Sequence, residues 1–157
     1  MKLTDRLRVE HGVFLIQLRH LEALVQQGAP REALAAVTGA IVGAEAHHSA
    51  VEDRVLYPAL RKRLGEELPA LDQIEADHAT IRKLGERIGS GSFDDETVTS
   101  LISLLRAHME REIHDTFARI EELIPEDELS AMFNWNVEHV FEASGHRELW
   151  LDGLGKE

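Results

Sequence analysis

Four long stretches of this 157-residue chain place apolar residues at alternating spacings of three and four, the period of an amphipathic helix. Short breaks separate them, and no stretch alternates as a strand does. The predicted helices run from about Thr4 to Gln27, Pro30 to Leu64, Pro69 to Ile88 and Glu96 to Ile124. Long helices joined by short turns pack as antiparallel neighbours. We therefore predict an all-α fold, an up-down-up-down four-helix bundle.

A fifth, shorter helix follows the bundle, beginning at "IPEDELS" and ending near "ASG". We predict a single domain over residues 1–157, with the bundle at about 3–124 and the C-terminal helix and tail at about 125–157. The apolar residues of this helix either cover one side of the bundle or form a homodimer interface. They are Met132, Phe133, Trp135, Val137, Val140 and Phe141.

Glycine, proline and aspartate mark the predicted helix ends. Gly28 can cap the first helix, Gly65 closes the second, and Asp94 or Asp95 can cap the fourth. Pro58 lies near the C-terminal end of the second helix, where we expect it to kink or terminate that helix.

Composition excludes several classes of function. The 29 acidic and 17 basic residues argue against nucleic-acid binding, which depends on neutralising phosphates. The absence of cysteine excludes disulfides, a thiol nucleophile and iron–sulfur ligation. No apolar stretch approaches the roughly 20 residues that span a bilayer, and "MKLTDRLRVEHG" lacks the apolar segment of a signal peptide. We predict a cytoplasmic protein that binds neither nucleic acid nor membrane.

Each of the four apolar seams contains one histidine: His11, His48, His78 and His108. In an antiparallel bundle an early position on one helix faces a late position on the next, so the four rings are expected at one level. Glu52 and Glu112 each follow a histidine by four residues, which places each His–Glu pair on one helix face.

Two carboxylates beside four imidazoles in an apolar core predict a bound cation, because a buried ionised carboxylate is unfavourable unless it is paired or metal-bound. Mixed nitrogen and oxygen ligands with open positions suit iron better than structural zinc, which closes tetrahedrally. We predict two metal ions, iron with manganese or zinc as alternatives. The predicted ligands are His11, His48, Glu52, His78, His108 and Glu112.

Two other interpretations stay open at this point. A seam histidine by itself is more often a satisfied core residue than a ligand, so a metal-free bundle is one alternative. Ferritin-like bundles use Glu-x-x-His on two helices, which Glu45-x-x-His48 and Glu75-x-x-His78 match. That pattern would leave His11 and His108 unexplained and would fall on the second and third helices, so we rank it lower.

The other histidines and the acidic residues near the predicted ligands have the following expected positions. His47 is about 100° round the helix from His48, so we expect it at a helix interface or behind the ligands, or as the ligand itself if the register shifts. His20, His139 and His146 are interpreted as structural or surface residues, and His114 as exposed or behind the ligands. Acidic residues flanking the ligand positions either face solvent or orient a metal-bound imidazole. These are Glu10, Glu45, Glu75 and Asp77.

Four motifs in this order resemble the hemerythrin-like, or HHE cation-binding, family: "RVEHGVF", "HHSAVEDRVLYPAL", "EADHATI" and "HMEREIHDTF". The resemblance extends from about Leu3 to Leu123 and implies a four-helix bundle around a non-haem di-iron centre. By motif, the four seam histidines would be terminal ligands, with Glu52 and Glu112 as bridges. Such centres bind dioxygen reversibly in the oxygen carriers. In bacterial relatives they are associated with oxygen, nitric oxide, peroxide or iron sensing.

The chain departs from the oxygen carriers at two positions. Those members have a second histidine one turn before the third-helix ligand and an aspartate five after the fourth-helix histidine, where this chain has Ile74 and Ile113. One imidazole fewer disfavours oxygen storage and leaves room for water, another carboxylate or His47. We predict a di-iron protein that binds or senses O2, NO or peroxide, a binding protein more than an enzyme. The alternatives are an iron-responsive interaction module and a di-iron peroxidase or oxidase.

Overall fold

Helices account for the regular structure of the described chain, which comprises residues 1–65 and 68–144 of a computed structural model, with side chains to residue 136. The helices are α1 (Leu3–Gln26), α2 (Arg31–Val51), α3 (Tyr57–Leu64), α4 (Pro69–Gly89), α5 (Asp95–Arg111), α6 (Phe117–Leu123) and α7 (Glu126–Ser144). Two π-helical turns, Glu52–Leu56 and Glu112–Thr116, join α2 to α3 and α5 to α6. α1 and α4 each pack against both α2 and α5, which closes a four-membered ring. The predicted all-α bundle is confirmed.

Local sequence accounts for the helix ends. Gly28 has a φ of 65°, and its N–H bonds the carbonyl of Val25 while that of Ala29 bonds Leu24, the pattern of a glycine-terminated helix. Asp94 accepts a hydrogen bond from the backbone N–H of Thr97 at 2.8 Å and caps α5. Both predicted caps are therefore confirmed.

The bundle has two apolar cores separated along the helices by a polar layer. The upper core consists of Phe14, Leu18, Leu21, Leu34, Ile41, Ile81, Ile88, Phe93, Val98, Leu101, Ile102, Leu105 and Met109. The lower core consists of Leu3, Leu7, Val51, Leu56, Tyr57, Leu60, Leu71, Ile74, Phe117, Ile120, Ile124 and Leu129. On each helix of the ring, the seam histidine lies at the junction between the two cores. Packing on either side therefore fixes the depth of the polar layer.

The two π-helical turns divide the predicted second and fourth helices, and the interruption of the fourth was not predicted. The N–H of Tyr57 bonds the carbonyl of Glu52, and that of Phe117 bonds the carbonyl of Glu112, five residues back in each case. Pro58 does not terminate its helix, which continues to Leu64. The second π turn has no proline, so proline alone does not explain these turns. Each turn begins at a predicted ligand and points that carboxylate and the aromatic ring five residues later into the interior.

Helix α7 covers one side of the lower core. Met132 and Phe133 pack against that core, and Arg6 of α1 donates a hydrogen bond to Asn136. The predicted C-terminal helix therefore packs on the bundle. The homodimer stays a prediction. The side chains of Val137, Val140 and Phe141 lie outside the described residues. Within the described ranges, no helix has both the length and the apolar character to span a bilayer.

Close packing of α2 on α4 depends on Gly85. A Cβ at this position would lie 2.5 Å from Cγ1 of Val42. We expect Gly85→Ala to lower the free energy of unfolding by about 1–3 kcal/mol through overpacking. Gly43→Ala, at an exposed helical site with nothing within 4 Å, should instead raise it by about 0.5–1 kcal/mol. Urea denaturation of both variants tests this, and equal stabilisation by both would contradict the close approach.

Candidate metal centre

Six buried side chains meet in the polar layer between the two cores, one or two from each side of the bundle. Each is at most 2% exposed. They are the six predicted ligands His11, His48, Glu52, His78, His108 and Glu112. The structure therefore brings together every residue that the seams singled out.

The six side chains form two groups of four that share both carboxylates. The first half-site is His11 and His48 with Glu52 and Glu112, and the second is His78 and His108 with the same two glutamates. Within each group the candidate ligand atoms all lie within 4.8 Å of one another. Glu52 directs one oxygen to each half-site, with Oε1 3.2 Å from His48 Nε2 and Oε2 3.5 Å from His78 Nε2.

The nitrogen and oxygen atoms have the spacing of ligands around a cation. The Nε2 atoms of His11 and His48 are 2.9 Å apart, and those of His78 and His108 are 3.1 Å apart. Glu112 Oε2 lies 3.2 Å from Nε2 of both His11 and His108. Two metal–ligand bonds of about 2.1 Å at a right angle place their ligand atoms about 3.0 Å apart. Each group of four therefore has the spacing of side chains that could hold a metal ion.

The shared carboxylates are also incompletely hydrogen-bonded. Within the described part of the chain, neither oxygen of Glu52 has a hydrogen-bond donor, and Oε2 of Glu112 has none. Burying such charged oxygens unpaired is unfavourable by several kcal/mol. A bound cation would remove that penalty, so these oxygens are a second observation consistent with a metal.

Acidic side chains lie behind three of the histidines, and two of them are hydrogen-bonded to the ring. Nδ1 of His48 contacts Glu10 Oε2 at 2.7 Å, and Nδ1 of His78 contacts Asp53 Oδ1 at 3.0 Å. Nδ1 of His108 lies 3.5 Å from Asp77 Oδ2. An acceptor at Nδ1 holds the proton there and leaves Nε2 free to ligate.

The orienting carboxylates are themselves held. Arg6 Nε donates to Glu10 at 2.7 Å, Gln73 donates to Asp77 at 3.0 Å, and Arg111 also contacts Asp77. Glu10 and Asp77 were among the flanking residues left open by the sequence. Asp53 was missed, although it directly follows a predicted ligand.

The two halves of the bundle are related by internal duplication. His11 corresponds to His78, and each follows an acidic residue that lies close to Nδ1 of a histidine on the next helix of the ring. Glu52 corresponds to Glu112, and each opens a π turn. The two halves of the bundle thus repeat the same arrangement of histidine, glutamate and π turn.

The duplication is broken on the lower side of the site. Asp53 corresponds to Ile113, and Nδ1 of His11 has no hydrogen-bond partner among the described residues. Tyr57 corresponds to Phe117, which stacks on His11 with 5.5 Å between ring centroids. The hydroxyl of Tyr57 donates to Glu112 Oε1. The second half-site is therefore the more polar one.

Charge coupling within the cluster shifts several pKa values. Burial by itself lowers the pKa of His48, but Glu52 and Glu10 raise it to about 10. Burial likewise lowers the pKa of His78, while Asp53 and Glu52 raise it to about 10. Burial raises the pKa of Glu52, but His48 and His78 outweigh this and hold it well below its usual range. Without a cation, the cluster retains protons on His48 and His78.

The other histidines and acids fall outside the six-residue cluster. His47 is exposed, so its expected place at a helix interface is wrong, and His20 and His114 are exposed as well. The side chains of His139 and His146 lie outside the described residues. Glu75 contacts Arg61 at 3.1 Å and is 42% exposed, so the ferritin-like alternative fails at its second motif. Ile74 is buried in the lower core.

Comparison with protein families agrees with this geometry. The family model described as hemerythrin HHE cation binding domain matches residues 2–120. The chain belongs to the hemerythrin HHE cation-binding family. No curated protein and no solved structure matches the chain. The hemerythrin-type match spans the whole four-helix ring and all six clustered side chains.

The raised pKa values of His48 and His78 predict how the free energy of unfolding depends on pH after a chelator has removed any metal. Protonated His48 and His78 contribute stability that is fully present below their unfolded pKa of 6.5 and is lost as pH rises through about 10. The free energy of unfolding should therefore fall across this range, while metal affinity should rise because cations displace the protons. Urea denaturation with chelator tests the first effect. His48→Gln should flatten the slope and His47→Gln should not, and equal slopes would contradict the assignment.

The hydrogen bond from His78 to Asp53 predicts that weakening this bond lowers the affinity for metal. Asp53→Asn replaces a carboxylate acceptor with a weaker amide, so metal affinity should fall by about 10- to 100-fold. Asp115→Asn alters an exposed acid of the second π turn and serves as the control. Isothermal titration with Mn²⁺ compares the two variants, and equal affinities would show that Asp53 does not support the site.

Proposed function

We propose that the protein binds two iron ions in the polar layer, with manganese or zinc as alternatives. His11 and His48 would hold one ion, and His78 and His108 the other. Glu52 and Glu112 would bridge them. The single observation that carries this proposal is the sharing of two buried, incompletely paired carboxylates between two pairs of imidazoles.

We further propose that the centre binds or senses a small ligand, namely O2, NO or peroxide. Each ion would receive two imidazole nitrogens and oxygens from the two bridging carboxylates, which leaves positions open on an octahedral ion. The apolar cores enclose the polar layer from above and below, which favours small ligands. Phe14 packs edge-on to His48 at 5.4 Å and Phe117 stacks on His11, so the first half-site has apolar walls.

The chain's own groups would orient the metal and tune its ligand. Glu10 and Asp53 would keep the Nδ1 protons of His48 and His78 outward. The buried hydroxyl of Tyr57 donates to Glu112, one of the shared carboxylates, and burial raises its pKa well above the usual value. It therefore stays protonated and available to donate. When bound, iron would supply Lewis acidity and one-electron chemistry.

An iron-responsive interaction module is a second candidate, favoured by one observation. The six side chains come from all four sides of the ring and lie between two separate cores. Metal would therefore tie all four helices together, and its loss would loosen the bundle where no apolar contact replaces it. A partner could recognise that change.

The metal proposal is tested by iron content and by a matched pair of histidine variants. The wild-type protein should hold about two iron ions per chain, with an absorption spectrum that changes on addition of O2, NO or peroxide. His48→Ala should lose at least one ion, whereas His47→Ala, at the exposed neighbouring position, should lose none. Wild-type protein without metal, or two variants with equal metal content, would reject the proposal.

The same samples separate the functional alternatives. A reversible spectral change supports ligand binding, and sustained consumption of peroxide supports an enzyme. A large loss of helical circular dichroism on chelation supports the responsive module.

A further inference from the structure

One buried carboxylate of the polar layer has no place in the six-residue cluster. Glu45 lies on α2, three residues before His48, and is 2% exposed. Neither of its carboxylate oxygens has a hydrogen-bond partner within the described ranges. Such an isolated buried carboxylate is unfavourable unless something compensates it.

The charges that act on Glu45 are those of the metal centre. Burial raises the pKa of this carboxyl to about 7, opposed chiefly by His78 and His48, and Glu52 adds to the rise. Arg82 is the other contributing charge, and its side chain is exposed. Glu45 is therefore within electrostatic reach of the polar layer and lies one helical turn before His48 on α2.

The internal duplication shows that packing does not require a glutamate at this position. Glu45 precedes His48 by three residues, and its counterpart, three residues before His108, is Leu105. Leu105 is 1% exposed and belongs to the upper core. One half of the bundle thus uses an apolar residue where the other half buries an unpaired acid.

We propose that Glu45 is a third carboxylate ligand of the metal centre. This inference rests on the proposed metal function. Glu45 is outside both four-residue groups, so ligation would require its side chain to change rotamer toward His48, one turn away on the same helix. A third carboxylate gives four imidazoles and three carboxylates, a donor set that favours iron and manganese over softer ions.

The test compares Glu45→Gln with Glu75→Gln. Both glutamates precede a clustered histidine by three residues, but Glu75 is partly exposed and contacts Arg61. Isothermal titration with Mn²⁺ should show about 10- to 100-fold weaker binding for Glu45→Gln and wild-type affinity for Glu75→Gln. Electron paramagnetic resonance of bound Mn²⁺ should change only in Glu45→Gln.

A second variant separates ligation from folding. Glu45→Leu introduces the residue type found at the corresponding position of the other half of the bundle. After a chelator has removed any metal, this variant should unfold at a higher temperature than wild type treated in the same way. It should also bind Mn²⁺ more weakly than wild type. These opposite changes are not expected of a purely structural residue. Wild-type Mn²⁺ affinity in both Glu45 variants would overturn this inference while leaving the proposed metal function intact. Weak binding by Glu45→Leu with normal binding by Glu45→Gln would also overturn it, because that result indicates a hydrogen-bonding role and not ligation. Absence of metal binding by the wild type would reject the proposed function and this inference together.

Discussion

Two buried carboxylates shared between two pairs of imidazoles set the requirement that the rest of the structure meets. Glu52 and Glu112 are fully buried, and three of their four oxygens lack a hydrogen-bond donor among the described residues. An arrangement of this kind is unfavourable in an apolar interior unless opposite charge is close by. Histidine protons supply that charge in the chelated protein, and metal ions would supply it in the loaded one. Packing of the two apolar cores on either side holds the six side chains at one depth, where these charges can meet.

The helices are modified where the carboxylates lie. Each π turn begins at a shared glutamate and directs both that side chain and the aromatic residue five positions later inward, which a regular α-helix would not do. Tyr57 thereby contacts Glu112, and Phe117 stacks on His11. The local departure from regular geometry thus builds both the bridge and its immediate surroundings.

The two half-sites have the same candidate ligands but different surroundings. Asp53 and Tyr57 make the second half-site polar, where Ile113 and Phe117 leave the first apolar. Glu45 adds a further asymmetry, because its counterpart is Leu105. Two ions in such a centre would differ in hydrogen bonding and in access to exchangeable protons. The two half-sites would therefore offer a bound ligand different surroundings.

The sequence by itself determined the helical class, the caps at Gly28 and Asp94, and the histidine in each seam, because helical period and capping are local properties of the chain. Asp53 as the partner of His78, the exposure of His47 and the isolation of Glu45 depend on which side chains meet across helices. The π turns rotate the residues that follow them. No local residue pattern predicts these turns, since only one of the two is followed by proline. Only the tertiary structure decided these features, because burial and charge pairing are set by neighbours distant in sequence.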